Sequence, residues 1–159
     1  MISYVALLRG IMPANKRTRN EKLREVFEGL GFKDVHTIIS SGNIIFKSKS
    51  KNIIQLESKL EKTLATRLQF KSSVMLRSRD ELDRIIRKDP FKGKKHDKKS
   101  YLIVTFLKDE PREIFSVIYT TNAGTPDFMS KIEKTHGKII TTRTWNTVNK
   151  IMKKMDDLG

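Results

Sequence analysis

The sequence predicts an α+β protein made of two antiparallel sheets, each packed against helices. Apolar residues recur at strand or helix spacing along nearly the whole chain of 159 residues. The segments follow one another as βαββαβ over residues 1–77, the split βαβ arrangement in which a four-stranded antiparallel sheet carries both helices on one face. They follow as αββαβα over residues 78–159, which fits a second, trimmed α+β subdomain ending in the helix that starts at RTWNTVN.

The first strand and the first helix have clear sequence signals. The apolar run Ile2–Leu8 has the length of a strand that is covered by other elements. Thr18 followed by Glu21 forms a capping-box pattern, so we expect the first helix to begin there and to stop at Gly31. Its apolar face consists of Leu23, Val26, Phe27 and Leu30.

The rest of the first half continues as a hairpin, a helix and a strand. Two β-branched segments, 34–40 and 43–48, are separated only by Ser41-Gly42, which predicts an antiparallel hairpin. A long helix is then predicted from apolar residues three and four positions apart, namely Ile53, Leu56, Leu60, Leu64 and Leu68. The segment 72–77 returns to strand.

The second half opens with another capping box and a basic segment. Ser78 and Glu81 start a helix that must end before Pro90. The segment 91–99 has no periodicity, and residues 87–99 contain seven Lys or Arg and two Asp, which gives this stretch a charge of +5. We expect a mobile, solvated loop. The functional alternative is an arm that contacts polyanions through Lys94, Lys95, Lys98 and Lys99.

The chain is predicted to end in two strands, a helix, a short strand and a helix. The two strands are 101–107 and 114–120. Thr125-Pro126 has the form of an N-cap followed by proline at the first helical position, and Gly137 stops that helix. The last helix follows a strand at 138–143, and its apolar face consists of Val148, Ile151, Met152 and Met155.

The strand-to-helix junction RTWNTVN, at 143–149, is the candidate ligand site. The side chain of Thr144 or Asn146 can accept a hydrogen bond from a free backbone amide in the first turn of the helix. The other free amides of that turn and the positive end of the helix dipole favour an anion. Arg143 offers a bidentate donor and Trp145 a stacking surface for a planar group. We therefore expect an anionic or nucleotide-like ligand here. The structural alternative is that Trp145 only anchors the last helix to the core.

Composition supports a second candidate function. The formal net charge is +15, which attracts polyanions such as nucleic acid or an anionic membrane surface. The alternative is that the high Lys content reflects only solubility or the habits of the source proteome. The predicted βαββαβ sheet could also stack RNA bases on Tyr4 and Phe46 of its central strands, although the glycine-aromatic motif of such domains is missing. The structural alternative is that both rings are core or partly exposed sheet residues. A general Lys-rich surface, which binds nucleic acid without sequence specificity, is the broader form of this hypothesis.

The sequence lacks the residues and spacings that several classes of functional site require. The chain has no cysteine, so disulfides, thiolate metal sites and cysteine nucleophiles are excluded, and we expect a cytoplasmic protein. The three histidines do not have metal-ligand spacing, and we expect neither metal nor cofactor. No apolar run is long enough for a membrane span. An enzyme acting on a small phosphorylated or carboxylated substrate is a third candidate, for which no catalytic residue can be nominated.

Four sequence blocks resemble domain-of-unknown-function family 1697. They are YVALLRGIMP from Tyr4, NEKLREVFEGLGFKDV from Asn20, ISSGNIIF from Ile39 and TTRTWNTVNK from Thr141. The resemblance covers essentially the full length and implies two ferredoxin-like α+β subdomains. It supplies no catalytic residues.

The resemblance also groups three polar blocks, each at a strand end or a turn, where site residues tend to be presented. They are Arg9-Gly10, Ser41-Gly42-Asn43 and 143–146, which add Arg9 and Asn43 to the candidate ligand site. The first loop, GIMPAN, departs from the usual glycine-rich GINVGG, and RTWNT departs from RNWNT. The stretch between Lys108 and Thr125 is short for the family. Pro13 and Ala14 make a phosphate cradle in the first loop a poor expectation.

Overall fold

The computed structural model describes residues 1–120 and 128–159. Within these residues the chain forms two antiparallel sheets and five α-helices, which confirms the α+β class. The elements are β1 (Ile2–Leu8), α1 (Asn20–Gly29), β2 (Lys33–Thr37), β3 (Asn43–Ser48), α2 (Ile53–Leu68), β4 (Val74–Ser78), α3 (Arg79–Arg87), β5 (Ser100–Leu107), β6 (Glu113–Tyr119), α4 (Phe128–His136), β7 (Ile140–Thr144) and α5 (Trp145–Asp157).

The first sheet has the strand order β2-β3-β1-β4, as the split βαβ arrangement requires. Tyr4 of β1 lies opposite Phe46 of β3 and Ser78 of β4. α1 and α2 cover one face of this sheet, and the first core lies between them. Its largest members include Tyr4, Leu8, Leu23, Phe27, Phe46, Leu60 and Leu64, all at most 2% exposed. Burying each large apolar side chain contributes about 1.5–3 kcal/mol.

The other face of the first sheet is covered by the second half of the chain. The second sheet has the order β6-β5-β7, and α3 and α5 pack against both sheets. The resulting second core is shared, because β1, β3 and β4 contribute Val5, Leu7, Ile45 and Met75 to it. The remainder comes from later elements and includes Leu82, Phe91, Val104, Phe106, Ile151 and Met155. The division into 1–77 and 78–159 stays a prediction.

The first capping prediction was wrong and the second is confirmed. Asn15 accepts from the amide of Arg17 and starts a short 3-10 turn, Lys16–Thr18, that draws Thr18 into it. α1 therefore begins at Asn20 with no side-chain cap. At α3, by contrast, the Ser78 hydroxyl accepts from the Glu81 amide and the Glu81 carboxylate accepts from the Ser78 amide, as expected.

Other local predictions had mixed outcomes. The hairpin connection is longer than Ser41-Gly42, because β2 already ends at Thr37. Gly137 follows α4 with φ +83°, as expected for a helix stop. The expected N-cap at Thr125-Pro126 lies outside the described residues.

The base-stacking hypothesis for Tyr4 and Phe46 was wrong, and the alternative of a core position is confirmed. Both rings lie in the first core under α1 and α2, with 2% and 0% exposure, and they stack on each other at 5.6 Å. The Tyr4 hydroxyl donates to the Ser50 carbonyl at 2.7 Å. The strand register places these two side chains on one face of the sheet, and α1 and α2 cover that face.

The outer edge of β4 is closed by two carboxylates from α2. The amide of Leu76 donates to Glu57 Oε2 at 2.9 Å, and the amide of Val74 donates to Glu61 Oε2 at 3.0 Å. Burial raises the pKa of Glu57, while the bond from Leu76 and the charge of Lys108 act in the opposite direction. These carboxylates occupy edge amides that could otherwise pair with another strand. No helix in the described part of the chain is long and apolar enough to span a membrane.

Candidate functional site

Arg143 is the centre of a buried polar junction between the two sheets. Its side chain projects from β7 and is only 8% exposed. Its Nε–H donates to Asn43 Oδ1 at 2.6 Å. The two Nη groups donate to four more oxygens, Thr141 Oγ1 at 2.7 Å, the Thr142 carbonyl at 2.7 Å, the Leu8 carbonyl at 3.0 Å and the Gly42 carbonyl at 3.2 Å. All five N–H groups of the guanidinium are therefore used within the protein.

These bonds change the expected role of Arg143. The bidentate contact to an anion, predicted from the sequence, has no donor left in this arrangement. Burial lowers the pKa of Arg143 to about 10, which still leaves the group charged at neutral pH. Among the described residues no carboxylate forms an ion pair with it, so neutral oxygens alone balance the charge. Arg143 acts here as a tie between the sheets.

The turn before β3 is shaped to receive this guanidinium. Asn43 is 1% exposed, and its Nδ2 group donates to the Ile38 carbonyl at 3.0 Å and to Ser41 Oγ at 2.8 Å. Gly42 has φ +79°, and a Cβ at this position would lie 2.6 Å from Ile11 Cγ1. Only glycine fits this backbone conformation and this close approach without strain. The side-chain nitrogen of Asn43 thus orients the turn, and the side-chain oxygen accepts from Arg143.

Arg9 joins the same junction from the other side. Its Nη1 donates to the Ile140 carbonyl at 2.8 Å, and its Nη2 forms an ion pair with Glu133 at 2.7 Å. The three polar blocks predicted from the sequence therefore meet where β1 ends, where β3 begins and along β7. Arg9 is one-third exposed, whereas Asn43 and Arg143 are buried. Of the three, only Arg9 is open to solvent.

The start of α5 combines a cap with an aromatic anchor. Thr144 is the N-cap, since its hydroxyl accepts from the Thr147 amide at 3.2 Å, which confirms one of the two expected caps. The half-buried Trp145 ring lies edge-on to Phe91, with ring centroids 5.1 Å apart. Trp145 therefore does anchor the helix. Asn146, in the first turn, is exposed. A ligand role for Trp145 and Asn146 stays a prediction.

Side chains of the Lys-rich loop hold it at both ends. Phe91 is 4% exposed and fixes one end of the loop in the second core. At the other end Asp97 Oδ1 accepts from the amides of Lys99 at 2.8 Å and Ser100 at 2.9 Å, and these bonds lower the pKa of Asp97. His96 Nδ1 accepts from the Leu102 amide at 3.0 Å. Side chains inside the charged run thus tie it to β5, and the expectation of a mobile loop stays a prediction.

Exposed aromatic rings lie on both sides of this loop. Phe115 of β6 is 38% exposed and lies edge-on to Phe91 at 5.9 Å. Tyr101 is 41% exposed and stacks on His96 at 5.3 Å. Because Phe91 contacts both Trp145 and Phe115, the loop and the start of α5 are continuous. We call this region the basic aromatic surface, which comprises Lys94, Lys95, Lys98, Lys99, Phe115, Trp145 and Asn146, with all four lysines exposed. Tyr101 lies on the other face of the second sheet, since the register pairs Phe115 with Val104, three positions further along β5.

Sequence reasoning missed a second buried arginine. Arg77 of β4 is 0% exposed, and its Nε–H donates to Glu113 Oε1 at 2.9 Å. Its Nη groups donate to carbonyl oxygens of Leu76 at 2.8 Å, Leu107 at 2.7 Å and Arg112 at 2.8 Å. Burial lowers its pKa. Arg77 extends from the first sheet to residues of the second half, whereas Arg143 extends from the second sheet to residues of the first half. The sequence feature that could have identified Arg77 is an arginine within an otherwise apolar strand.

Phe91 was also missed, because it is a single aromatic residue at the start of a polar run.

Within residues 1–120 and 128–159, no three His, Asp or Glu side chains are grouped so that they could hold a metal ion. The arrangement at the junction offers hydrogen-bond donors and acceptors that are already paired. What remains chemically available to a ligand is the charge and the aromatic area of the surface outside it.

Comparisons with known proteins agree with this fold. The family model described as "Protein of unknown function (DUF1697)" matches residues 1–128. A search of curated proteins finds no match. A solved structure, the conserved bacterial protein SP0830 from Streptococcus pneumoniae, superposes with a TM-score of 0.74 at 22% identity, covering 96% of this chain and 97% of that one. At this identity the likeness shows the fold alone. With most of its length matched by the family model, the chain belongs to the DUF1697 family of proteins of unknown function.

Proposed function

We propose that this protein binds a nucleotide-like anionic ligand on the basic aromatic surface, and that the ligand is single-stranded nucleic acid in the cytoplasm. The observation that carries the proposal is the contact of Phe91 with both Trp145 and Phe115. It joins the start of α5 and the Lys-rich loop, which the sequence offered as two separate candidate sites. The proposal assigns no catalytic residue.

Charge supports a polyanionic ligand. The net charge of +15 attracts phosphates from a distance, and four exposed lysines concentrate that charge beside the aromatic rings. The loop backbone is fixed by Phe91, His96 and Asp97. A binding partner therefore does not have to order the loop backbone, and less conformational entropy is lost on binding.

The aromatic side chains favour single strands over duplexes. Bases in a duplex are stacked on one another, whereas the bases of a single strand can stack on protein rings. Phe115 is more than a third exposed, and Trp145 is half-buried beside it, since both rings contact Phe91. Arg143 and Asn43 contribute indirectly, because their hydrogen bonds hold β7 and hence the first residue of α5 in position.

The test is a titration of fluorescein-labelled oligo(dT) and oligo(U) by anisotropy at several salt concentrations. Replacing Lys94, Lys95, Lys98 and Lys99 together by Gln should make the slope of log K against log salt shallower by about 2–3, if each lysine neutralises one phosphate of a single strand. The matched control replaces four exposed lysines on the far side of the molecule by Gln, namely Lys22, Lys33, Lys51 and Lys59. This control should keep the wild-type slope of log K against log salt, because it leaves the four loop lysines in place.

A second variant tests stacking separately from charge. Phe115→Ala should weaken oligo(dT) binding about 5- to 150-fold, the range for loss of one base–aromatic stack. Emission from Trp145, the single tryptophan, should change when the oligonucleotide binds. If neither oligonucleotide binds the wild type at low salt, or if the loop and control variants lose affinity equally, the proposal fails. Equal affinity for duplex and single strand would refute the stacking argument in particular.

A further inference from the structure

A separate groove lies beside Arg9, away from the basic aromatic surface. It has a volume of about 1070 Å³ and is open to solvent, between the C-terminal half of α2, the segment before β4 and the segment before β7. Its walls include Arg9, Lys62, Phe70, Lys71, Lys138 and Ile139. None of its lining residues belongs to the basic aromatic surface. The volume is at the upper end of the range typical of small-molecule sites.

Apolar side chains form part of the groove wall. Ile139 is 56% exposed and offers its aliphatic side chain to the groove. Phe70, which is half-buried, lines the groove from the segment opposite. The groove therefore offers apolar contact from two sides.

The charges around these apolar residues are predominantly positive. Four cations line the groove, and its carboxylate, Glu61, already accepts from Lys108 Nζ at 2.7 Å and from the Val74 amide. Within the described residues, Arg9 uses two of its five N–H groups, for Ile140 and Glu133. Three N–H groups of a one-third exposed guanidinium therefore remain for a ligand. An anionic head group would find donors here without displacing an internal bond.

We propose that this groove binds a small amphipathic anion, a carboxylate or phosphate group on an apolar body. Arg9 receives the anionic head together with Lys71 and Lys138, and Phe70 and Ile139 contact the apolar body. The combination of charge and apolar area selects against fully polar anions, which gain nothing from the apolar wall. It also selects against amphipathic cations, which the excess positive charge of the lining repels. This site is independent of the nucleic-acid surface.

The test uses 8-anilinonaphthalene-1-sulfonate, a fluorescent amphipathic anion, with the full chain. Octanoate and octyl phosphate should displace the probe, and the stronger competitor identifies the preferred head group. Octylammonium should not displace it. Lys71→Gln with Lys138→Gln should weaken probe binding about 3- to 30-fold, as expected for loss of two partly screened ion pairs. Ile139→Ser should weaken it about 5- to 30-fold through lost apolar contact.

Matched controls separate the groove from general surface binding. Ile54→Ser removes an aliphatic side chain that is 78% exposed on α2 outside the groove, and Lys22→Gln with Lys51→Gln removes two exposed charges. These controls should bind the probe as the wild type does. Equal loss in groove and control variants, or displacement by octylammonium, would overturn the proposal. The groove variants should leave oligo(dT) binding unchanged, so a failure here is distinguishable from a failure on the basic aromatic surface.

Discussion

Replacement of Arg143 by Met is expected to destabilise the protein far more than it alters any surface. The methionine side chain is also long and unbranched, so it fills much of the same space without the charge or the donors. The variant removes the donor to Asn43 Oδ1, to Thr141 Oγ1 and to the carbonyl oxygens of Thr142 and Leu8. The Gly42 carbonyl loses one of two donors, because it keeps the bond from the Leu8 amide at 3.0 Å. These oxygens lie where β1 ends, where β3 begins and on β7, so the loss affects both sheets.

The magnitude follows from the burial of those oxygens. A buried polar group left without its partner costs about 1–3 kcal/mol. These costs do not add in full, because the junction relaxes and the buried charge, whose own desolvation is unfavourable, is removed as well. We therefore expect a loss of about 3–5 kcal/mol in the free energy of unfolding. Arg143→Lys should lose less, since an ammonium keeps the charge and up to three donors.

The assay is urea unfolding, followed by the emission of Trp145 and by circular dichroism. Arg24→Met is the matched control, because the guanidinium of Arg24 is 52% exposed and forms an i,i+4 pair with Glu28; it should cost less than about 1 kcal/mol. If Arg143→Met unfolds within about 1 kcal/mol of the wild type, Arg143 does not tie the sheets together. A stable Arg143→Met variant that lost oligonucleotide binding would restore its role as a ligand donor.

Three further predictions concern single positions. Gly42→Ala should cost more than Gly31→Ala in urea unfolding; both have positive φ, but only Gly42 brings the new Cβ to 2.6 Å from another side chain, whereas Gly31 has nothing within 4 Å; equal costs would show that the close approach is relaxed. The pKa of Glu57 is raised, so this residue ionises at a lower pH in the unfolded chain than in the folded protein, and the wild type loses stability as pH rises from 4.5 through the raised pKa. The free energy of unfolding of Glu57→Gln minus that of the wild type should therefore increase over that window. A decrease would contradict the sign. Phe91→Ala should shift the Trp145 emission to longer wavelength and cost about 3–5 kcal/mol; an unchanged spectrum would mean that the two rings do not pack in solution.

Much of the fold could be predicted because local signals and packing agree. The boundaries of β1 and β3 match the apolar runs closely, and the helical spacing of Val148, Ile151 and Met155 identified the buried face of α5. The prediction failed at Thr18, where two local signals compete. Asn15 lies three residues before Thr18 and starts its own turn, so the capping box never forms.

The candidate site could be predicted only as a set of polar blocks. Arg143 bonds to Leu8, Gly42 and Asn43, each separated from it by 100 residues or more. No local pattern says that a guanidinium will be buried among carbonyl oxygens and not exposed to a ligand. The same limit applies to Phe91, whose neighbours in sequence are charged while its neighbours in space are Trp145 and Phe115.

The core between the two sheets has a consequence for how the chain emerges from the ribosome. One wall of this core, including Val5, Leu7 and Met75, is synthesised early, whereas Met155 on the facing helix is among the last residues. At about 5–20 residues per second, roughly 4 to 15 s separate the end of β4 from the end of α5. During that interval the nascent first sheet shows an apolar face that α5 does not yet cover. Chaperones that shield apolar surface are therefore expected to act on the first 78 residues, and a ribosome-bound chain stalled before α5 should be more sensitive to proteases than the released protein.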